Sequence, residues 1–242
     1  MKQTEHTAIV LRRADYRDND RMLTLLSPTR GKLEVLSRGC RKPRSSLRNA
    51  SELFALGDFE FYEKNGHLTL ISANLIETFY PLRQDLDRLS CGSYCLNVAE
   101  ALSQPGQNAQ ELFMLLLHTL SRLTFSDQPW KPLLTGFLLH AANLSGMKPR
   151  LNHCVECSRR LGEEPVLFDQ EEGGVVCREC AGQGRGRYPL SAGQLTWLRQ
   201  ALTKGSAEWV DEGDCTAPWT VMRPYLESRL DYPPRAGSML PE

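Results

Sequence analysis

The sequence lacks the marks of a membrane or secreted protein. It contains no run of eighteen apolar residues, so no segment is long enough to cross a bilayer as a helix. Its first twenty residues contain no apolar segment with positive flanks, which a secretory signal would need. We therefore expect a cytoplasmic protein with no membrane partner.

The common catalytic signatures are also missing. There is no G-x-S-x-G nucleophile turn, no glycine-rich phosphate loop and no H-E-x-x-H pair. Paired acids occur in "DNDR" and "DEGD", and we interpret both as solvated turns. We expect a protein without enzymatic activity.

The chain also has no net charge, but its basic and acidic residues are unevenly distributed along the sequence. The 29 basic residues balance 29 acidic ones, yet residues 1–50 carry a net charge of +7 and the remainder −7. This excess of positive charge in residues 1–50 suggests that the amino-terminal part binds a polyanion.

The positive charge is densest in "RGCRKPRSSLR", from Arg38 to Arg48, with five basic residues in eleven. Gly39, Pro43 and two serines favour a loop. Such a loop can follow a phosphate backbone without a fixed base register. The alternative is a solvated, charged turn. The candidate DNA-contacting residues are Lys32, Arg38, Arg41, Lys42, Arg44 and Arg48.

The first eighty residues predict five short strands. "HTAIVLR", "RMLTLLS" and "KLEVLSR" are rich in branched and apolar residues, and "GDFEFYE" and "HLTLISA" follow the basic loop. Asn65-Gly66 between the last two strands is a strong hairpin signal. Five strands with one long loop after the third favour a small closed barrel, most commonly an OB-fold. Phe59, Phe61, Tyr62 and Tyr16 are candidates for base stacking, although core packing is the better interpretation of each.

Helical periodicity replaces strand alternation after Pro81. It predicts helices over about 82–102, 109–125, 129–147, 191–204 and 217–230, with Ser191 as an N-cap and a loose tail from Tyr232. The fold class is therefore α+β and multidomain. An OB-fold barrel over residues 1–80 precedes a helical domain over 81–242, which contains a zinc-ribbon insertion within 150–185.

Four of the eight cysteines form two C-x-x-C pairs, Cys154/Cys157 and Cys177/Cys180, separated by nineteen residues. This pattern is typical of a tetrahedral thiolate site, for which Zn²⁺ is the usual ion. Four sulfur ligands leave no open position for water, so we expect one structural zinc per chain. A redox dithiol pair and a catalytic zinc are the alternatives. We expect His153 either to lie beside the metal ligands or to face solvent, and Cys91 and Cys95 to be buried core residues.

Together these features resemble the RecO family of bacterial DNA repair proteins. The resemblance is carried by "TAIVLRRADYRDNDRMLTLLSPTRGKLEVLSRGCRKPRSSLR" and by "LSGMKPRLNHCVECSRRL". It implies a non-catalytic recombination mediator that binds single- and double-stranded DNA and anneals complementary strands. It also implies that RecR and the single-strand-binding protein are partners and that RecA is loaded. The six basic residues would contact DNA and the four cysteines would hold the metal. An adaptor with an incidental basic loop is the alternative.

Overall fold

Five strands at the amino-terminal end form a closed barrel in this computed structural model, which describes residues 2–182, 186–204 and 216–241. The strands are β1 (Lys2–Tyr16), β2 (Asp20–Ser27), β3 (Gly31–Ser37), β4 (Leu56–Lys64) and β5 (His67–Glu77). Their order is β1-β2-β3-β5-β4, and β1 closes the barrel by pairing with both β2 and β4. The short β3–β5 pairing is parallel and the others are antiparallel. The predicted barrel is confirmed.

Alternation along the strands separates a core face from an outer face. In β3, Leu33, Val35 and Ser37 are buried, whereas Glu34 is exposed and Leu36 is half-buried. Because successive side chains of a strand point to opposite faces, the outward residues of neighbouring strands form one continuous surface. This outer surface carries the residues considered below.

Two turns of the barrel depend on glycine. Asn65 and Gly66 have φ values of 51° and 78°, the left-handed pair that a tight two-residue hairpin requires. Gly31 has φ 63°, and a Cβ there would lie 2.2 Å from the carbonyl oxygen of Gln104. Gly66 is therefore required by its backbone conformation, and Gly31 by both its conformation and close packing.

Five α-helices follow among the described residues. They are α1 (Leu86–Leu102), α2 (Gln110–Phe125), α3 (Trp130–Leu144), α4 (Ala192–Thr203) and α5 (Thr216–Glu227). The side chain of Asp85 accepts hydrogen bonds from the N–H groups of Asp87 and Arg88 at the start of α1. Ser191 and Gln194 form a capping box at the start of α4, as the sequence predicted. No helix in the described ranges combines the length and apolarity needed to cross a membrane.

A small antiparallel sheet lies between α3 and α4 in the chain. It consists of β6 (Val166–Asp169), β7 (Gly174–Val176) and β8 (Arg187–Leu190), with β6 in the centre. In the sequence, β6 and β7 lie between the two C-x-x-C turns and β8 follows the second turn, as in a zinc ribbon.

The chain divides into two compact units. The first comprises residues 1–124 and 234–242, and the second comprises 125–233. The prediction of a loose tail from Tyr232 is wrong for its last part. Ala236 and Gly237 are buried, and the N–H of Ala236 donates to Oδ1 of Asn97 at 3.0 Å. Asn97 lies 139 residues earlier, so nothing local in the sequence signals this contact.

Candidate nucleic-acid interface and metal centre

The segment between β3 and β4 presents its cations to solvent. Arg38, Arg41, Lys42, Arg44 and Arg48 are all exposed. Arg41 is the one with a carboxylate within reach, since its Nη2 lies 3.4 Å from Oδ2 of Asp15. For the other four, the described residues supply no ion-pair partner within 4.0 Å. Four uncompensated positive charges therefore lie on one segment, which we call the basic loop (residues 38–48).

Two hydrogen bonds, both donated by backbone N–H groups, tie the beginning of the basic loop to the β1–β2 turn and the first residue of β2. Oδ1 of Asp20 accepts from the N–H of Gly39 at 2.7 Å, and the carbonyl of Asn19 accepts from the N–H of Arg41 at 3.1 Å. Cys40 is fully buried between them. The expectation that "DNDR" is only a solvated turn is therefore wrong for Asp20, which holds the start of the loop.

The segment that follows the basic loop is held by Arg21. Its Nη1 donates to the carbonyl of Ser51 at 3.1 Å and to Glu52 at 2.8 Å, and its Nε donates to Asp15 at 3.2 Å. Burial opposes the charge, but the hydrogen bonds and charge of Glu52, together with Asp15, raise the pKa of Arg21. Leu47 packs on the barrel core. The loop backbone is thus held at both ends, while four of its five cations have no ion-pair partner among the described residues.

Lys32 lies apart from the basic loop. It stands at the opposite end of β3 from Arg38, and six residues of strand span about 20 Å. Its side chain is half-buried rather than exposed. Both residues point to the outer face, so one long strand of nucleic acid could contact both. Five of the six predicted contact residues are brought together, and Lys32 is not.

Two of the four stacking candidates are unavailable. Phe59 and Phe61 are fully buried in the barrel core, with ring centroids 6.3 Å apart and planes 6° from parallel. Core packing, the better interpretation from the sequence, is confirmed for both. Tyr62 is half-buried on the outer face and Tyr16 is 40% exposed at the end of β1. The two tyrosines remain the accessible aromatic residues among the candidates.

The second candidate site is the cluster of Cys154, Cys157, Cys177 and Cys180. Their four sulfur atoms lie within 4.8 Å of one another, and Sγ of Cys157 is 3.8 Å from Sγ of Cys177. With metal–sulfur bonds of about 2.3 Å, the edge of a tetrahedron is about 3.8 Å. The donor set and its spacing therefore fit one tetrahedral metal ion.

Backbone N–H groups around the first cysteine favour its thiolate. Burial opposes ionisation of Cys154, but N–H groups of Cys157, Cys177 and Glu156 point at its sulfur, and together they lower its pKa to about 6. The N–H of Cys177 lies 3.4 Å from that sulfur. The pKa of Cys180 is raised, first by the hydrogen bond of its thiol with Cys177 and then by that with Cys157, and charge repulsion from the Cys154 thiolate adds to the shift. A cation among the four sulfurs would remove that repulsion.

Two arginines fasten the cysteine turns to the rest of the second unit. Arg187 donates to Oδ2 of Asp169 at 3.0 Å, to the carbonyl of Cys180 at 3.0 Å and to Glu156. Arg199 of α4 donates to the carbonyls of Leu151, Leu161 and Gly162 at 2.8–3.0 Å. These acceptors flank the first C-x-x-C turn, so both turns are held in position by planar guanidinium groups.

The remaining sequence candidates fall outside the metal centre. His153 is exposed, as expected. Cys91 and Cys95 are fully buried in α1, and burial raises the pKa of Cys91 to about 12 and that of Cys95 well above its usual value. Both are therefore core residues. The "DEGD" turn lies outside the described residues.

The comparison with protein families agrees with this architecture. A family model described as "Recombination protein O N terminal" matches residues 1–79, and one described as "Recombination protein O C terminal" matches residues 83–235. The chain belongs to the RecO family. The barrel with its basic loop lies within the first matched region, and the cysteine cluster lies within the second.

Curated relatives of the RecO family span most of the chain. DNA repair protein RecO of Anaeromyxobacter sp. (strain K) is 37% identical over 214 residues, which is 88% of this chain and 84% of the relative. The protein of that name from Desulforamulus reducens is 31% identical over 235 residues, covering 96% and 91%. That of Moorella thermoacetica is 37% identical over 193 residues, covering 78% and 71%.

Proposed function

We propose that this RecO-family chain is a recombination mediator that binds single- and double-stranded DNA and anneals complementary strands. With RecR it would help RecA to replace the single-strand-binding protein. In this proposal residues 1–80 act as the DNA-binding domain and residues 81–242 as the helical domain. The protein would work in the cytoplasm and would bind and position DNA without catalysing a reaction.

The observation that carries the proposal is the uncompensated charge of the basic loop. Arg38, Lys42, Arg44 and Arg48 are exposed, and the described part of the chain offers them no carboxylate within 4.0 Å. A cation already paired within the molecule would gain little free energy by contacting a phosphate. Each of these four unpaired cations can instead displace a counterion condensed on the DNA. The adaptor alternative assigns no role to this arrangement.

The fixed backbone of the loop adds to the argument. Asp20 and Arg21 hold its two flanks, so binding would order the side chains but not the chain that carries them. The ordering cost for DNA binding is correspondingly small. Annealing then follows from charge neutralisation, because a strand lying on Arg41 and its neighbours repels its complement less.

The four cysteines are proposed to hold one structural Zn²⁺ within residues 150–185. A zinc ion bound there would act as a cross-link between the two C-x-x-C turns and leave no coordination position for a substrate. Cys154 and Cys177 are buried, and Cys157 and Cys180 close the site from outside. Arg187 and Arg199 connect this lobe to β6 and α4.

A strand-annealing assay on complementary DNA coated with single-strand-binding protein tests the proposal. The informative variant carries Lys42→Ala, Arg44→Ala and Arg48→Ala, because among the described residues these three side chains have no ion pair or hydrogen bond to lose. We expect annealing to slow at least tenfold while the fold is retained, since exposed substitutions shift stability by about 0.5 kcal/mol or less. Far-UV circular dichroism and thermal unfolding check the fold.

A charge-matched variant controls for net charge. Lys148, Arg160 and Arg235 are also exposed but lie outside the basic loop. Their replacement by alanine removes the same charge and should leave annealing near the wild-type rate. Equal losses in the two variants, or none in either, would favour the adaptor alternative.

A further inference from the structure

An open cleft of about 650 Å³ lies on the outer face of the barrel. Its floor is a row of residues that are paired across four adjacent strands: Met22 with Leu36, Leu36 with Thr69, and Thr69 with Tyr62. All four are half-buried. Their paired positions place them on one face, so the cleft has a largely apolar floor.

Aromatic and basic side chains surround this floor. Tyr16 stands at the end of β1, Arg38 at the end of β3, and Lys64 and His67 at the β4–β5 hairpin. The guanidinium of Arg17 lies 5.1 Å from the ring centroid of Tyr16. An apolar floor with an exposed ring and cations at the rim is typical of sites for a flat, uncharged group attached to an anion.

The hydroxyl of Tyr62 also indicates a ligand. It is buried, and it has no hydrogen-bond partner in the part of the chain that the structure describes. Buried polar groups are nearly always paired, and an exception at a cleft indicates that a ligand or water completes it. A hydrocarbon would leave this hydroxyl unsatisfied, whereas a heterocycle with polar edges would not.

The charge around the cleft favours an anionic chain. Glu34 is its one acidic lining residue, and Oε1 of Glu34 accepts from the hydroxyl of Thr24 at 2.8 Å and lies 3.4 Å from Nη2 of Arg12. Arg38 lines this cleft and also a second hollow, whose lining includes Lys42 together with the acids Asp18 and Asp20. The cleft therefore adjoins the basic loop at Arg38.

We propose that this cleft takes one unpaired nucleobase of single-stranded DNA, stacked on Tyr16 and reaching Tyr62, while neighbouring phosphates lie on Arg38 and the basic loop. The inference rests on the proposed function, and it adds a preference for unpaired DNA. A base within a duplex is stacked and paired, so it could not enter without unpairing. The phosphate contacts alone would not distinguish the two forms of DNA.

Two oligomers of equal length and equal phosphate number test the inference: oligo-dT and its abasic counterpart, a deoxyribose–phosphate chain without bases. We expect the wild-type chain to bind oligo-dT about 5- to 150-fold more tightly, the range for loss of one stacked base. Tyr16→Ala should abolish this preference and leave the affinity for the abasic oligomer and for a duplex unchanged. Fluorescence anisotropy measures all three affinities.

Two further variants complete the design. Tyr62→Phe removes one oxygen atom and should lower oligo-dT affinity by a smaller factor, about 2- to 10-fold, with no effect on the abasic oligomer. Tyr188→Ala is the matched control, because Tyr188 is 39% exposed but lies on β8. It should retain the preference for oligo-dT.

The outcomes separate this inference from the proposed function. Equal affinity of the wild-type chain for the two oligomers would overturn the base site while leaving the phosphate interface intact. An equal loss for both oligomers on Tyr16→Ala would also overturn it. Failure to bind either oligomer would overturn the proposed function together with the inference.

Discussion

The backbone N–H of Gly39 donates a hydrogen bond to Oδ1 of Asp20 at 2.7 Å. Asp20, the first residue of β2, thereby fixes the second residue after β3, at the start of the basic loop. Gly39 has φ 65°, so the chain turns sharply at this point. The position of the cations thus depends on an acid that lies nineteen residues earlier.

Two substitutions of Asp20 separate the effect of its charge from the effect of its hydrogen bond. Asp20→Ala removes both, whereas Asp20→Asn removes the charge but keeps an oxygen that can accept from Gly39. Loss of a negative charge near the basic loop should by itself strengthen DNA binding, so Asp20→Asn is the proper reference. We expect Asp20→Ala to bind single-stranded DNA more weakly than Asp20→Asn, with faster hydrogen exchange at the Gly39 amide. Identical affinity and exchange in the two variants would show that the hydrogen bond does not position the loop.

The metal centre should hold one zinc ion per chain. Cys180→Ser replaces a ligand at the accessible side of the cluster and should reduce bound zinc well below one equivalent, because hydroxyl oxygen is a poor ligand beside three thiolates. Cys91→Ser is the control, since Cys91 is buried in α1 and is not one of the four clustered cysteines, and it should retain the metal. Elemental analysis of the purified proteins gives the stoichiometry. Full retention of zinc by Cys180→Ser would contradict the four-sulfur site.

The half-buried His140 of α3 makes stability depend on pH. Burial lowers its pKa below the ordinary value of 6.5, although a backbone hydrogen bond to Ala201 partly opposes the shift. The unfolded chain therefore binds a proton more readily near pH 6, and the free energy of unfolding falls as pH decreases below about 6.5. His140→Gln should make this decline shallower. Urea unfolding of both proteins at pH 7.5 and 5.5 measures the difference, and parallel declines would show that His140 does not contribute.

Local signals in the sequence predicted much of the fold. Asn65-Gly66 specified the β4–β5 hairpin because its left-handed conformation is a property of the two residues themselves. Ser191 identified the start of α4 for the same reason, since a capping box spans four residues. The C-x-x-C spacing identified the four cysteines that cluster, because each turn aims two sulfurs by local geometry.

Features set by distant contacts could not be predicted in this way. The sequence does not indicate that Asp20 binds Gly39 or that Asn97 holds Ala236. Alternation showed that Phe59 and Tyr62 face opposite sides of β4, but only barrel closure decides which side is the core. The cleft floor likewise depends on the register of four strands, which no single segment encodes.

The salt dependence of single-strand binding tests the central claim most directly. If about six phosphates are neutralised, the slope of log affinity against log salt concentration should be near −4. Removal of the Lys42, Arg44 and Arg48 cations should bring it to about −2, because each phosphate contact on single strands contributes about 0.7. The Lys148, Arg160 and Arg235 control should keep the slope near −4. A slope that is the same with and without the three loop cations would contradict the account.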